Sequence, residues 1–215
     1  MNMSRFAQGN ETFKKSYFKN HEKELLTLAK KGQHPNALFI GCSDSRVIPD
    51  LIVQTNPGDL FVIRNVGNFV PPFKSDEDFH ATASGIEYAV GVLEVETIII
   101  CGHSHCGACK ALFAECNQSD DMIHTRKWLE LGEKAKTMAT LSLGKDADEN
   151  DLLRLTERLS IVTQIENLLS YPLVKKRVQK GDLFIHGWYY DIETGDIEYY
   201  DSDTYTFLPL ADLTH

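Results

Sequence analysis

Three short apolar runs, at residues 37–41, 59–64 and 97–101, constrain this chain more than any other feature. Each is too short for a helix and rich in Ile, Val, Leu or Phe, so each reads as a buried strand. The segments between them are too long for hairpin turns. Residues 79–93 carry Ala81, Ala83, Ile86, Tyr88, Ala89 and Val92 at helical spacing, which predicts a close-packed crossover helix leading into the third run. Residues 47–54 form a shorter helical or irregular crossover closed by Asn56-Pro57-Gly58, a turn in which proline presets one backbone angle. Strands joined by crossovers lie parallel, with right-handed connections.

In the second half, helical spacing predominates over residues 106–116, 121–138, 151–169 and 172–179, with residues 142–150 as a polar connection. Residues 182–188 then read as a fourth buried strand, and residues 190–199 as a hairpin around Glu193-Thr194-Gly195. The fold class is therefore α/β: a mainly parallel sheet of four to five strands with helices on both faces, extra C-terminal helices and a C-terminal hairpin. Residues 1–215 form a single domain. Ahead of the first strand, Phe6, Phe13, Tyr17, Phe18, Leu25, Leu26 and Leu28 stand among lysines and glutamates, predicting one or two amphipathic helices that end near Gly32. This arm, residues 1–32, packs either on its own domain or across a neighbouring subunit, and its spacing leaves both open.

Chemistry collects at the strand ends. The first run leads into Cys42-Ser43-Asp44-Ser45-Arg46, and the third ends in Cys101-Gly102-His103-Ser104-His105-Cys106-Gly107. In an open parallel sheet, ligand sites form beyond the carboxyl ends of adjacent strands, so Cys42, His103 and Cys106 can converge there. Two thiolates and one imidazole with a fourth position left for water suit a catalytic zinc rather than a closed structural site. A chain of this length buries roughly 70% of its unfolded surface without a metal staple, which favours a functional metal. The competing readings are a structural zinc or plain buried thiols. Cys106-Gly107-Ala108-Cys109 also has a redox spacing, but that leaves Cys42 and His103 without a role. Cys101, Cys109 and Cys116 read as core residues, and His105 points away from its neighbours if the chain there is extended. Asp44 either binds the metal or accepts a hydrogen bond from metal-held water while Arg46 holds it, and the bland alternative is a structural ion pair.

Charge narrows the partners. Lysine and arginine total 22 against 31 acidic residues, a net charge of -9, which argues against nucleic acid or an anionic membrane as partner. No apolar run approaches the ~18 residues of a membrane span and the N-terminus lacks a signal-like stretch, so the expected location is cytoplasmic, with reduced cysteines.

Together, Cys42-Ser43-Asp44-Ser45-Arg46, Arg64-Asn65-Val66 and Gly102-His103-Ser104-His105-Cys106-Gly107 resemble the signature of the β-class carbonic anhydrases, over a stretch from about Gly32 to Trp188. The resemblance implies reversible hydration of carbon dioxide to bicarbonate and a proton by a zinc hydroxide, with one zinc ion per subunit held by Cys42, His103 and Cys106. It makes Asp44 and Arg46 the catalytic dyad. Similarity to the plant-like branch adds Gln33 and an apolar pocket of Phe61, Val66 and Tyr88, with Gln33 and some pocket residues supplied by the other subunit of a homodimer, itself sometimes part of a tetramer. That implication favours the arm lying on a neighbour. The branch regulated by bicarbonate has a second anion site, here matched by Phe39, Gly41, Arg64 and Tyr190, but Phe39 lacks the indole N–H of that pattern. The expectation is an open resting site with Asp44 on Arg46. Two alternatives stand beside it: a carbon disulfide-type hydrolase on the same scaffold, and a non-catalytic zinc-binding or redox-sensing protein using Cys101, Cys106 and Cys109.

Overall fold

The structure, a computed structural model, describes residues 3–76, 78–114, 120–144 and 146–213. The chain opens with α1 (Met3–Phe13), a π-helical stretch (Lys14–Phe18) and α2 (Glu22–Lys31), then enters β1 (Ala37–Cys42). There follow α3 (Pro49–Val53), β2 (Leu60–Asn65), α4 (Ala81–Gly91), β3 (Thr97–His103) and the short α5 (Gly107–Ala111). The second half contains α6 (Ile123–Leu129), α7 (Glu133–Leu143), α8 (Glu149–Leu168), α9 (Pro172–Lys180), β4 (Phe184–Tyr190), β5 (Ile197–Asp201) and β6 (Thr206–Pro209).

The strands form one sheet in the order β2-β1-β3-β4-β5-β6. The first four are parallel, and β5 and β6 add antiparallel pairs at one edge. The sheet is one strand wider than the sequence reading. β6 is only Thr-Phe-Leu-Pro, too short for an alternation to register, and its terminal proline suits an edge, where one side of the ladder needs no donor. β4 runs on to Tyr190 because its last residues pair with Gly102 and His103 of β3.

Two helices differ from their expected spans. The helix expected over 106–116 stops at Ala111, where Leu112 and Phe113 bond back to Cys109 and Lys110 in a tightened final turn. Cys116 lies outside the described residues. The single helix expected over 121–138 is broken before α7 at Gly132, where a Cβ would come within 2.8 Å of Leu112 and 3.0 Å of the Phe69 ring. The interruption is a 3₁₀ turn, Glu130–Gly132, after which α7 runs on to Leu143, and the nearness of Leu112 and Phe69 leaves room only for glycine there. Asp148 caps α8 by accepting the Asn150 and Asp151 amides, ending the polar connection that the composition anticipated.

The main core lies between the sheet and α4, α8 and α9, with Leu38, Ile40, Ile98 and Ile100 facing Ile86, Val90, Ile161, Leu168 and Val174. Helix α8 comes close enough that a Cβ at Gly102 or Gly187 would stand 2.8 or 2.7 Å from Ile161. A second cluster, Ala37, Phe39, Ile99 and Cys101 with Leu60, Val62, Trp188 and Tyr190, is made of strand side chains alone. The N-terminal arm buries none of its described residues. Neither α1 nor α2 contains a buried side chain, and Met3, Phe6, Phe13, Tyr17 and Leu26 remain exposed.

Candidate metal centre

β1 and β3 are adjacent and parallel, so their carboxyl ends bring Cys42 and His103 to one side of the sheet. Beyond His103 the chain reverses through His105, whose φ of 58° is left-handed, and the turn returns Cys106 to the start of α5. The sulfurs of Cys42 and Cys106 and a ring nitrogen of His103 all lie within 4.8 Å of one another, and all three residues are buried.

The donor chemistry suits a metal. His103 donates from Nδ1 to the Ser104 carbonyl at 2.8 Å, which leaves the Nε2 lone pair bare. That Nε2 is buried without a hydrogen-bond partner, a costly condition unless a cation takes the lone pair. The Cys42 sulfur receives the Asp44 and Gly67 amides, each at 3.4 Å, a setting that favours a thiolate. Gly67 has φ 79° and a Cβ there would stand 2.8 Å from Ala108, so only glycine brings its amide so close. With only protons to share, both thiols are pushed up to about 12: Cys42 by its hydrogen bond with Cys106 and by burial, Cys106 chiefly by its contact with Cys109. Burial lowers the His103 pKa, but Cys42, the Ser104 carbonyl and Asp44 together outweigh this and the net shift is upward. A cation among the three would displace these protons.

Asp44 is turned to Arg46. Its Oδ1 accepts from Arg46 Nε at 2.9 Å and from the Arg46 amide at 3.0 Å, and Oδ2 accepts from the second guanidinium arm at 2.7 Å. This fork holds the carboxyl well below the usual carboxylate range. Arg46 also donates to the His105 carbonyl at 3.1 Å, tying the dyad to the turn that carries Cys106. The His105 side chain is exposed and faces Glu193 at 3.3 Å. Arg64 donates to the carbonyls of Cys42 at 3.0 Å and Asp44 at 2.7 Å, so its visible work is to brace the loop after β1. Asn65 bonds both the amide and the carbonyl of Phe69, and Trp128 donates to the Val66 carbonyl at 2.7 Å, which together fix the loop after β2.

The remaining sequence candidates fall elsewhere. Phe61 pairs with Leu38 near the amino ends of their strands, and its ring lies 5.9 Å from that of Tyr88. Gln33 precedes β1 at that same end. Five residue steps at about 3.3 Å each separate Ala37 from Cys42, so Gln33, Phe61 and Tyr88 lie across the sheet from the Cys-His-Cys trio of their own chain. Val66 alone of the four follows a strand at the trio's end, and it is exposed. Phe39 and Tyr190 share the strand-only cluster, and Gly41 lies against the Phe39 ring. Cys109 packs beside the trio without joining it, and Cys101 is buried in β3, where burial raises its thiol to about 12.

Glu157 is the residue that sequence reading passed over. Its side chain, 1% exposed, accepts from the Cys106 amide at 2.9 Å, from Arg154 at 2.9 Å and from the Tyr189 hydroxyl at 3.0 Å. Burial raises its carboxyl, opposed by the Cys106 amide and Arg154. A signal was present. Leu153, Glu157, Ile161, Gln164 and Leu168 share one buried helix stripe, where an acidic residue requires a partner.

Residues 37–197 match the family model described as carbonic anhydrase. Among curated proteins, the carbonic anhydrase of Synechocystis sp. is 40% identical over 206 residues, spanning 96% of this chain and 74% of that protein. The carbonic anhydrase of Pseudomonas aeruginosa is 42% identical over 180 residues, covering 84% of this chain and 80% of that protein. Among solved structures, the β-carbonic anhydrase CcaA superposes with a TM-score of 0.90 at 39% identity, covering 96% of this chain and 91% of that one. A tetrameric β-carbonic anhydrase from the ascomycete Sordaria macrospora does so with a TM-score of 0.79 at 29% identity, covering 93% and 97%.

Proposed function

The chain belongs to the β-class carbonic anhydrases, and from that premise we propose that it hydrates carbon dioxide at a zinc ion held by Cys42, His103 and Cys106, with Asp44 and Arg46 as the orienting dyad. The observation that carries this reading is the bare, buried Nε2 of His103 facing two thiols, beside a carboxylate gripped by a guanidinium. Zinc bound there would lower the pKa of a water and make it a nucleophile toward carbon dioxide.

The protein's own groups then control orientation. Asp44, kept ionised by Arg46, can only accept hydrogen bonds, so it turns the attacking water's proton toward itself and its lone pair toward the substrate. Each Asp44 oxygen bonded to Arg46 retains acceptor capacity for that task. Arg46 keeps Asp44 off the metal, and the resting site is open. Arg64 supports the same loop from behind through the carbonyls of Cys42 and Asp44. The test is direct. Zinc-loaded protein should carry one zinc per chain and hydrate carbon dioxide in a stopped-flow assay, lose both on chelation and regain both on zinc addition. Intact, reduced protein that holds no zinc, or holds it without hydrating carbon dioxide, would sink the reading.

The substrate slot calls for a second chain. We read Gln33, Phe61 and Tyr88 as lining a neighbour's site beside that neighbour's Val66, since they lie across the sheet from their own trio. The exposed apolar residues of the arm support the same assembly, a homodimer or a tetramer built from dimers, with α1 and α2 laid across the partner. Removing residues 1–32 should shift the protein to a smaller species in light scattering and lower its turnover. A truncated protein of unchanged mass would return the arm to its own domain. Phe39, Gly41, Arg64 and Tyr190 remain the candidate anion site, weakened by the missing donor at Phe39 and by Arg64 facing main-chain carbonyls. No helix among the described residues is long and apolar enough to cross a membrane. The net charge supports a small-molecule substrate over nucleic acid, and the four free, buried cysteines among the described residues support a reducing, cytoplasmic setting.

A further inference from the structure

The three proposed ligands are braced in different ways. The Cys42 carbonyl is held by Arg64, and the His103 ring by the Ser104 carbonyl. Cys106 lies past the end of β3, after a left-handed residue, where no strand ladder fixes it. Its amide instead donates to Glu157, 51 residues later on α8. The same carboxylate accepts from Arg154 and from Tyr189 of β4, so α8, β4 and the metal-binding turn meet at one buried side chain. Helix α8 is itself seated on the sheet through Ile161, packed against Gly102 and Gly187.

We propose that Glu157 is a positioning residue for the metal: by accepting the Cys106 amide it locks the turn after His103, so that the Cys106 sulfur faces Cys42 and His103 and zinc is slow to leave. This rests on the zinc reading above. What matters in this role is the place of the acceptor oxygen rather than its charge. Glutamine at the same length still offers a carbonyl oxygen to the Cys106 amide. The Cys106 amide and Arg154 share Oε1 of Glu157, and aspartate withdraws that oxygen by one methylene: the long Arg154 side chain can follow the charge, whereas the backbone amide of the turn cannot. A role confined to the ion pair with Arg154 would rank the two substitutions the other way.

The experiment measures zinc transfer from the zinc-loaded full chain to an excess of chromogenic chelator, alongside thermal unfolding. Glu157→Asp should release zinc about tenfold or more faster than the unaltered protein. Glu157→Gln should release it within about threefold of the unaltered rate, even where its melting temperature falls because Arg154 has lost its counter-charge. Leu168→Ala, a cavity on the same helix with no bond to Cys106, should lower the melting temperature and leave zinc release unchanged. Faster release from Glu157→Gln than from Glu157→Asp, unaltered release in Glu157→Asp, or release that tracks melting temperature across all three would overturn the positioning role. Absence of zinc from the unaltered protein would count against the metal reading itself.

Discussion

Cys42→Ser, His103→Ala and Cys106→Ser are each expected to strip most of the zinc and abolish carbon dioxide hydration. The trio supplies the only buried convergent donors among the described residues, and removing one leaves two ligands for an ion that needs three protein donors to remain catalytic. Serine is a near-isostere of cysteine, but its hydroxyl does not ionise near neutrality, so the charge balance fails even where the shape survives. His103→Ala additionally removes the bond from Nδ1 to the Ser104 carbonyl, which should loosen the turn that carries Cys106. Cys109→Ser is the control. It packs against Cys42 and Cys106 without joining the three convergent donors, and both metal and rate should be retained. Metal analysis paired with stopped-flow assay decides the matter: full zinc in any of the first three, or its loss in the fourth, would reassign the ligands.

The second large effect falls on the dyad with zinc still in place. Asp44→Asn should keep the metal and lose roughly 10- to 100-fold in kcat/KM, because an amide can present N–H where the mechanism needs an acceptor. Arg46→Ala should lose a similar factor, since Asp44 would keep only the Arg46-position amide bond of its three and be free to turn toward the metal. Its pH profile should separate it from Asp44→Asn. Arg46 holds the Asp44 carboxyl below its ordinary range, so the bridge contributes most above that range and is lost as pH falls through the depressed folded value. Without Arg46 the carboxyl returns toward about 3.9, still ionised at neutrality, and the acid limb of activity should move upward in pH. Wild-type turnover in either variant would reduce the pair to a surface ion bridge.

The parts of the site legible in the sequence were those carried by consecutive residues at strand ends. Cys42 and His103 end β-branched or apolar runs, and a strand end is a position that a pattern of side chains can locate. Cys106 follows His103 closely enough that any compact turn returns it to the same place. Glu157 lies at no strand end: its place in the apolar stripe of α8 calls for a partner, but that partner is a backbone amide brought to it by the packing of α8 on β3 and β4. The 3₁₀ turn before α7 was also hidden, since what demands glycine at 132 is the close approach of Leu112 and Phe69, which come from distant parts of the chain. β6 was missed for want of length. Its four residues pair with β5 through tertiary register, and nothing in Thr-Phe-Leu-Pro announces that.

The separation between the two ends of β1 has a consequence at the level of inheritance. Gln33 stands before the strand and Cys42 closes it, and no rotation of side chains brings one to the other across five extended residue steps. If each catalytic chamber takes its metal from one copy and its lining from another, a copy with a ruined metal half still supplies an intact lining. A second copy with a ruined lining still supplies an intact metal half. Two alleles that are each silent alone would then complement when expressed in the same cell, because their mixed dimer contains one undamaged chamber, whereas two lesions in the same half would not.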